Sequence, residues 1–249
     1  VSEEWIIGKN AVHEALVGGR PVHKVWIAEN TKRQAVQKIV QQSKEVDALI
    51  QYVPKKKVDE LAGTPQHQGV VASVAAYTYA DIDDLFANAR DRNEQPFFIV
   101  LDGVEDPHNL GSVLRTADAA GAHGVIIPKR RAAGLTQAVA KASTGAVEHV
   151  PVARVTNIAR TLEDLKEQGL WIAGTDAAGT SDYRELEADT GLGLVIGSEG
   201  KGMSRLVREA CDFLLTVPMF GQVTSLNASV TASLLMYEVV RKRELKGQK

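Results

Sequence analysis

Residues 217–232 read VPMFGQVTSLNASVTA, and the fold class turns on how this stretch is parsed. An apolar run, residues 213–217, stops at Pro218; Gly221 then gives a turn, and Ser225, Leu226 and Asn227 open a long helical pattern. A strand that runs through a glycine loop into a helix is the βα joint of an α/β protein. Such a joint leaves N–H groups unpaired at the helix start and carbonyls at the strand end, while Pro218 and Gly221 fix the bend. Taken alone it is an ordinary βα turn with a Ser or Asn cap, so its meaning depends on what the other segments bring to it.

Working outward, two further apolar runs end in the same way. Residues 170–174 lead into GTDAAG and residues 192–196 into GSEGKGM, so three strand ends are glycine-rich and allow close backbone approach to a flat ligand. Upstream, residues 97–101 form a run buried on both faces, followed by DGVEDPHNLGSVLRTADAAGA. There Leu110, Val113, Leu114, Ala117 and Gly121 share one helical face, Asn109 sits at the helix start and Arg115 lies off the stripe. Strands at 125–127 and 150–155 and helices near 136–142, 157–168 and 204–210 complete an alternating pattern. It predicts a parallel sheet covered on both faces, with ligands beyond the C-terminal strand ends.

At 249 residues the chain exceeds one typical core, and two domains are expected. Residues 1–76 read as a compact α/β unit: strands at 5–7, 22–28, 48–53 and 69–75, and helices from Asn10 as cap through Val17, at 32–43 and at 57–61. The weaker pattern of residues 77–95 reads as a linker with a short helix, leaving 96–249 as the second domain.

Hydrophobic residues at 44% and charged residues at 24% exclude disorder as the main state. No segment has the apolar length to span a bilayer, and the opening VSEEWIIGKNAV lacks a basic region followed by an apolar one, so no secretory signal is expected. The start on Val1 suggests processing or an excised boundary. Cys211 is the single cysteine, which excludes an intramolecular disulfide and a multi-cysteine metal cluster and points to a reducing, cytoplasmic setting. In RLVREACDFLL it reads as a small buried hydrophobe, not a nucleophile. The net charge of −2 does not advertise nucleic-acid binding. Local runs say more: Lys55–Lys56–Lys57, Lys129–Arg130–Arg131, and Arg241, Lys242, Arg243, Lys246 and Lys249. Each alone reads as a solvated face; together they suit a polyanion held at chosen places.

The polar residues at the strand ends are Asn109, Arg115, Glu199, Ser225 and Asn227. Each has a plain structural reading: Glu199 as a surface turn residue, Arg115 paired with Asp118, Asn109 as a helix cap. His108 and His67 read as structural, and no ligand-spaced second histidine makes a metal site. Nucleotide motifs fail on spacing. GLGLVIG carries one residue too many before its third glycine for GxGxxG, and a Walker loop ending at Gly200 and Lys201 would need glycine where Val195 stands. A nucleotide-dependent oxidoreductase is therefore disfavoured.

The three blocks LDGVEDPHNLGSVLRTADAAG, LVIGSEGKGM and VPMFGQVTSLNASVTA resemble, in order and spacing, the three signature motifs of the SpoU or TrmH-type 2′-O-ribose RNA methyltransferases. The amino-terminal unit, with WIIGKNAVHEAL and HQGVVA, is similar to the ribosomal-protein-like RNA-binding domain that precedes the catalytic domain in several members. The resemblance implies S-adenosylmethionine as methyl donor, a trefoil-knotted catalytic domain and a homodimer. General topology rules would instead give an open, unknotted sheet. By resemblance, Thr175, Gly197, Val217, Met219 and Leu226 seat the cofactor, and Asn109, Arg115, Glu199, Ser225 and Asn227 form the active site. Val217 and Ala228 stand where isoleucine and valine are common. The family layout implies a guanosine of large-subunit (23S) ribosomal RNA as substrate. A transfer-RNA enzyme and a non-catalytic ribosome assembly factor are the alternatives.

Overall fold

The computed structural model describes residues 3–17, 20–75, 77–245 and 247; Lys246 and Lys249 of the C-terminal basic run lie outside them. The chain divides into two compact units, Val1–Thr78 and Tyr79–Lys249.

The first unit contains β1 (Glu3–Ile7), α1 (Lys9–Val17), β2 (Val22–Ala28), α2 (Arg33–Glu45), β3 (Leu49–Val53), α3 (Lys55–Ala62) and β4 (Val70–Ala75). Asn10, expected as a cap, lies inside α1. The sheet order is β1-β4-β2-β3, with β4 antiparallel to both neighbours and β2 parallel to β3. Because β4 is central, its VVASVA run is buried along nearly its whole length. Val70, Ala72 and Val74 pack with Val12 and Leu16 of α1 and Val36 and Ile39 of α2, while Val71 packs with Val58 and Ala62 of α3.

The second unit contains α4 (Ile82–Asp91), β5 (Phe97–Asp102), α5 (Pro107–Ala119), β6 (Gly124–Pro128), α6 (Gln137–Ser143), β7 (Val152–Val155), α7 (Ile158–Glu167), β8 (Trp171–Thr175), β9 (Ser181–Asp182), β10 (Leu192–Gly197), α8 (Arg205–Glu209), β11 (Phe213–Thr216) and α9 (Ala228–Leu245). Its seven strands run in the order β7-β6-β5-β10-β8-β11-β9, and every pairing is parallel. The sequence pattern anticipates this sheet. Central β10 is buried at every residue, as a strand covered on both faces must be. Phe98, Val100 and Val195 pack with Leu162 and Leu165 of α7 and Val207 of α8. α5 packs against α6 and α9, and α9 against β10. Each fully buried Phe, Leu, Ile or Val contributes about 1.5–3 kcal/mol.

The stretch 77–95 differs from the linker expected. It holds α4, opened by a capping box between Asp81 and Asp84, and Leu85 and Phe86 are part of the second unit's core. Gly124 makes room for that docking: a Cβ there would stand 2.2 Å from Leu85 Cγ. The boundary accordingly falls between Thr78 and Tyr79.

Candidate active site

Because β10, β8 and β11 are neighbours and parallel, their C-terminal ends open on one edge of the sheet. The loop after β10 is closed on itself. Ser198 N–H donates to Gly202 O at 3.1 Å and Gly202 N–H to Ser198 O at 2.9 Å, with Gly200 and Gly202 at φ +77° and +66°, the left-handed region that favours glycine. A Cβ on Gly197 would lie 2.3 Å from the Gly202 backbone, so this loop can fold back only over glycine.

The loop turns Glu199 toward two helix starts. Asn109 Nδ2 donates to Glu199 Oε1 at 2.9 Å. Asn227 Nδ2 donates both to Asn109 Oδ1, at 2.9 Å, and to Glu199 Oε1, and Ala228 N–H donates to that same oxygen at 3.2 Å. Asn227 is also the cap of α9: its Oδ1 accepts from Ser229 N–H at 2.9 Å, Ser229 Oγ at 2.6 Å and Val230 N–H at 3.3 Å. The carboxylate at the start of α9 is favoured further by the helix dipole. With Oε1 saturated and Oε2 making no hydrogen bond among the described residues, Glu199 presents one fixed, open acceptor. Asn109 does not cap its helix, the plain structural reading of it. Asp106 caps α5 by accepting from His108 N–H at 3.0 Å, and Asn109, buried one turn in, is left to reach Glu199.

Beside this ring lies a cleft of about 690 Å³ lined by Thr175, Gly197, Val217, Met219 and Leu226, with Glu199 and Ser225 also on its wall. Its size suits a nucleoside-sized ligand. No residue of 218–226 makes a hydrogen bond to another described residue. Backbone groups on that stretch are therefore free to bind something else, which is how the residues present fit an adenosine-bearing cofactor. Thr175 Oγ1 donates to Val195 O at 3.3 Å, tying β8 to β10 beneath the cleft. Sequence reading missed Asp176 and Lys201, which also line it; Asp176 pairs with Arg208 at 2.9 Å. Both stand just past a strand end, the signal that would have found them.

Arg115 and Ser225 are not drawn into the ring. Arg115 is exposed on α5, and its side chain forms no ion pair or hydrogen bond with any described residue, Asp118, Glu199 and Asn109 included. Ser225 is exposed on the cleft wall. His67 is structural: buried, its Nδ1 accepts from Gly69 N–H at 2.9 Å, so Nε2–H donates to Asp59 at 2.7 Å. Burial pushes the Cys211 thiol up to about 12, which suppresses the thiolate a nucleophile needs. Among the described residues no group of three or more His, Cys, Asp or Glu could hold a metal ion.

The model of the SpoU rRNA methylase family matches residues 96–237, and that for RNA 2′-O ribose methyltransferase substrate binding matches residues 5–80. YacO of Bacillus subtilis, assigned by name to the TrmH family of tRNA/rRNA methyltransferases, is 61% identical over 245 residues, 98% of each chain. Among solved structures, the SpoU methyltransferase AviRb of Streptomyces viridochromogenes in complex with AdoMet is 27% identical with a TM-score of 0.76, covering 97% of this chain and 91% of that one. An AdoMet-bound rRNA methyltransferase from Sinorhizobium meliloti is 25% identical with a TM-score of 0.71, covering 96% and 87%.

Proposed function

The chain belongs to the SpoU rRNA methylase family, and from that premise we propose that it methylates the ribose 2′-hydroxyl of a guanosine in large-subunit (23S) ribosomal RNA. That it is an RNA 2′-O-ribose methyltransferase using S-adenosylmethionine follows from the family and its AdoMet-bound neighbours. Ribosomal RNA is favoured over transfer RNA by the family's description and by a neighbour named as an rRNA methyltransferase that covers 96% of this chain. The small unit, matched as a substrate-binding domain, is assigned the capture of folded RNA by shape and backbone. A non-catalytic assembly factor would have no use for the Asn109–Glu199–Asn227 ring beside the cleft, the observation that carries the reading. The proposal includes a cytoplasmic setting, the trefoil knot of the family resemblance and a homodimer; for the last, Val230, Leu234 and Tyr237 give α9 an exposed apolar stripe.

When bound, S-adenosylmethionine supplies a methyl group on a positively charged sulfur, open to in-line attack. In this reading Thr175, Gly197, Val217, Met219 and Leu226 hold it, largely through backbone groups. Asn109 and Asn227 fix Glu199, whose open Oε2 accepts from and orients the ribose hydroxyl; Ser225 adds a second polar contact on the wall. Arg115 is not the base, because a guanidinium is not deprotonated in proteins. It clamps the neighbouring phosphate and stabilises the developing oxyanion, and the hydroxyl proton passes to phosphate or water. Arg115→Lys is expected to lower kcat roughly ten-fold or more, since lysine cannot reproduce bidentate geometry; near-normal turnover at neutral pH would remove the clamp from the mechanism.

Mapping 2′-O-methyl positions in RNA from cells with and without the protein tests the whole. Loss of one guanosine mark in 23S RNA is expected. A lost mark in transfer RNA instead would move the substrate, and no lost mark anywhere would overturn the reading.

A further inference from the structure

The basic run Lys129–Arg130–Arg131 leaves the sheet at the end of β6, on the same edge as the candidate site. Registers place it there. Val100 of β5 pairs with Ile126 of β6 and with Val195 of β10, so Lys129 and Ser198 step off neighbouring positions on either side of β5. Two interstrand spacings separate them, about 10 Å.

The run is held, not loose. Lys129 N–H donates to Val155 O at 2.8 Å, and Ala133 N–H donates at 3.0 Å to Val104 O, in the loop that leads into α5 and Asn109. Leu135 N–H donates to Tyr79 Oη at 2.8 Å. Arg154, the β7 neighbour, donates to Lys129 O at 3.4 Å and lies 4.5 Å over the Tyr79 ring. Lys129, Arg130 and Arg131 are exposed and form no ion pair with any described residue. Arg131 has φ +56°, a conformation glycine adopts at no steric cost, yet the residue is arginine. Of the two acids on the loop between β5 and α5, Asp106 is engaged in capping α5, and Glu105 forms no ion pair with a described residue.

We propose that Lys129, Arg130, Arg131 and Arg154 hold the phosphate backbone of the substrate RNA strand a few nucleotides from the reacting ribose, fixing the direction in which the strand crosses the sheet edge. The proposal rests on the reading of the chain as an RNA methyltransferase. Geometry supports one occupant: three cations without an ion pair on a pinned loop, flanked by Arg154 held over Tyr79 and about 10 Å from the Ser198 end of a site that takes a nucleotide, match a polyanionic strand continuing out of that site.

The test uses the full chain and a 23S ribosomal RNA transcript, with binding measured over a salt series beside steady-state methyl transfer. The triple variant Lys129→Ala, Arg130→Ala, Arg131→Gly removes the charges while glycine keeps the left-handed turn. We expect KM for RNA to rise roughly ten-fold and the slope of log affinity against log salt to fall by about 2, with kcat and S-adenosylmethionine affinity unchanged. A second variant, Lys129→Arg with Arg130→Lys, should retain wild-type binding, because charge and not side-chain identity acts. Unchanged RNA affinity and salt slope in the triple variant would overturn the proposal alone. Wild-type protein that binds no RNA would overturn the functional reading, and this proposal with it.

Discussion

The two loops that frame the cleft are built on opposite plans. The one after β10, residues 197–203, is bonded to itself and sends Glu199 into a ring with Asn109 and Asn227. The one after β11, residues 218–226, makes no hydrogen bond to the rest of the described protein. The first is set before any ligand arrives, which is what charge stabilisation in a transition state requires. The second leaves donors and acceptors to be satisfied by what binds. In the proposed function the chemistry falls mainly to the first loop, with Gly197 at its base sharing the cofactor seat, and most of the cofactor capture to the unpaired one.

The largest expected effect breaks the rigid half. Glu199→Ala removes the acceptor on which Asn109, Asn227 and Ala228 converge, and kcat should fall by about 10²–10³, with little change in Tm because Glu199 is exposed. Asn227→Asp makes the contrast finer. Aspartate caps a helix as well as asparagine does, so α9 should stay folded, but the donor to Asn109 and Glu199 is replaced by a second carboxylate oxygen facing Glu199. A kcat that follows Glu199→Ala while the protein keeps its fold would assign the loss to the ring; normal turnover would sink the ring as a unit.

Gly197→Ala attacks the same loop through its backbone. The new Cβ meets backbone, not a side chain that can turn aside, so the loop must open. S-adenosylmethionine affinity should drop about ten-fold or more, with a lower Tm of the kind that overpacking gives. Calorimetry showing wild-type affinity would mean the closed loop is not part of the cofactor seat.

Much of this is legible in the sequence alone. Three glycine-rich strand ends announced the edge, and alternating apolar runs announced the parallel sheet. Two misreadings have physical causes. Asn109 was a candidate cap because DPHN offers two capping side chains, yet Pro107 suits the first helical position and so marks Asp106 as the cap. Residues 77–95 read as a linker with a short helix because that helix is followed by DRNEQP, although its apolar Ile82, Leu85, Phe86 and Ala89 mark a face that docks into a core. The ring itself lies beyond local pattern. Asn109 and Glu199 are 90 residues apart and Asn227 and Asn109 118, a juxtaposition that only the order of strands creates.

The unpaired half is tested by hydrogen exchange. Adding S-adenosylmethionine should slow exchange in residues 218–226 more than at Ser198 and Gly202, whose amides are already bonded. At one hundred times Kd the ligand should add about 2.7 kcal/mol to the unfolding free energy. Protection arising first in 197–203 would reverse the roles of the two loops.

The smallest effect concerns the floor beneath the rigid loop. Cys211 Sγ would stand 2.6 Å from a Cβ on Gly174, beside Met203 at the end of that loop, and it donates to Val207 O at 3.3 Å. Burial, the leading cause, raises its pKa from an ordinary value of 9.0 to about 12. Folding therefore favours the neutral thiol: the unfolded chain loses that proton first, and stability falls as pH rises from about 9 toward 12. Alkaline denaturation should begin in that window and be blunted in Cys211→Ala, and the thiol should resist alkylation at pH 8 in the native protein. Rapid labelling there would mean that the floor opens, and that the loop above it is less rigid than its hydrogen bonds imply.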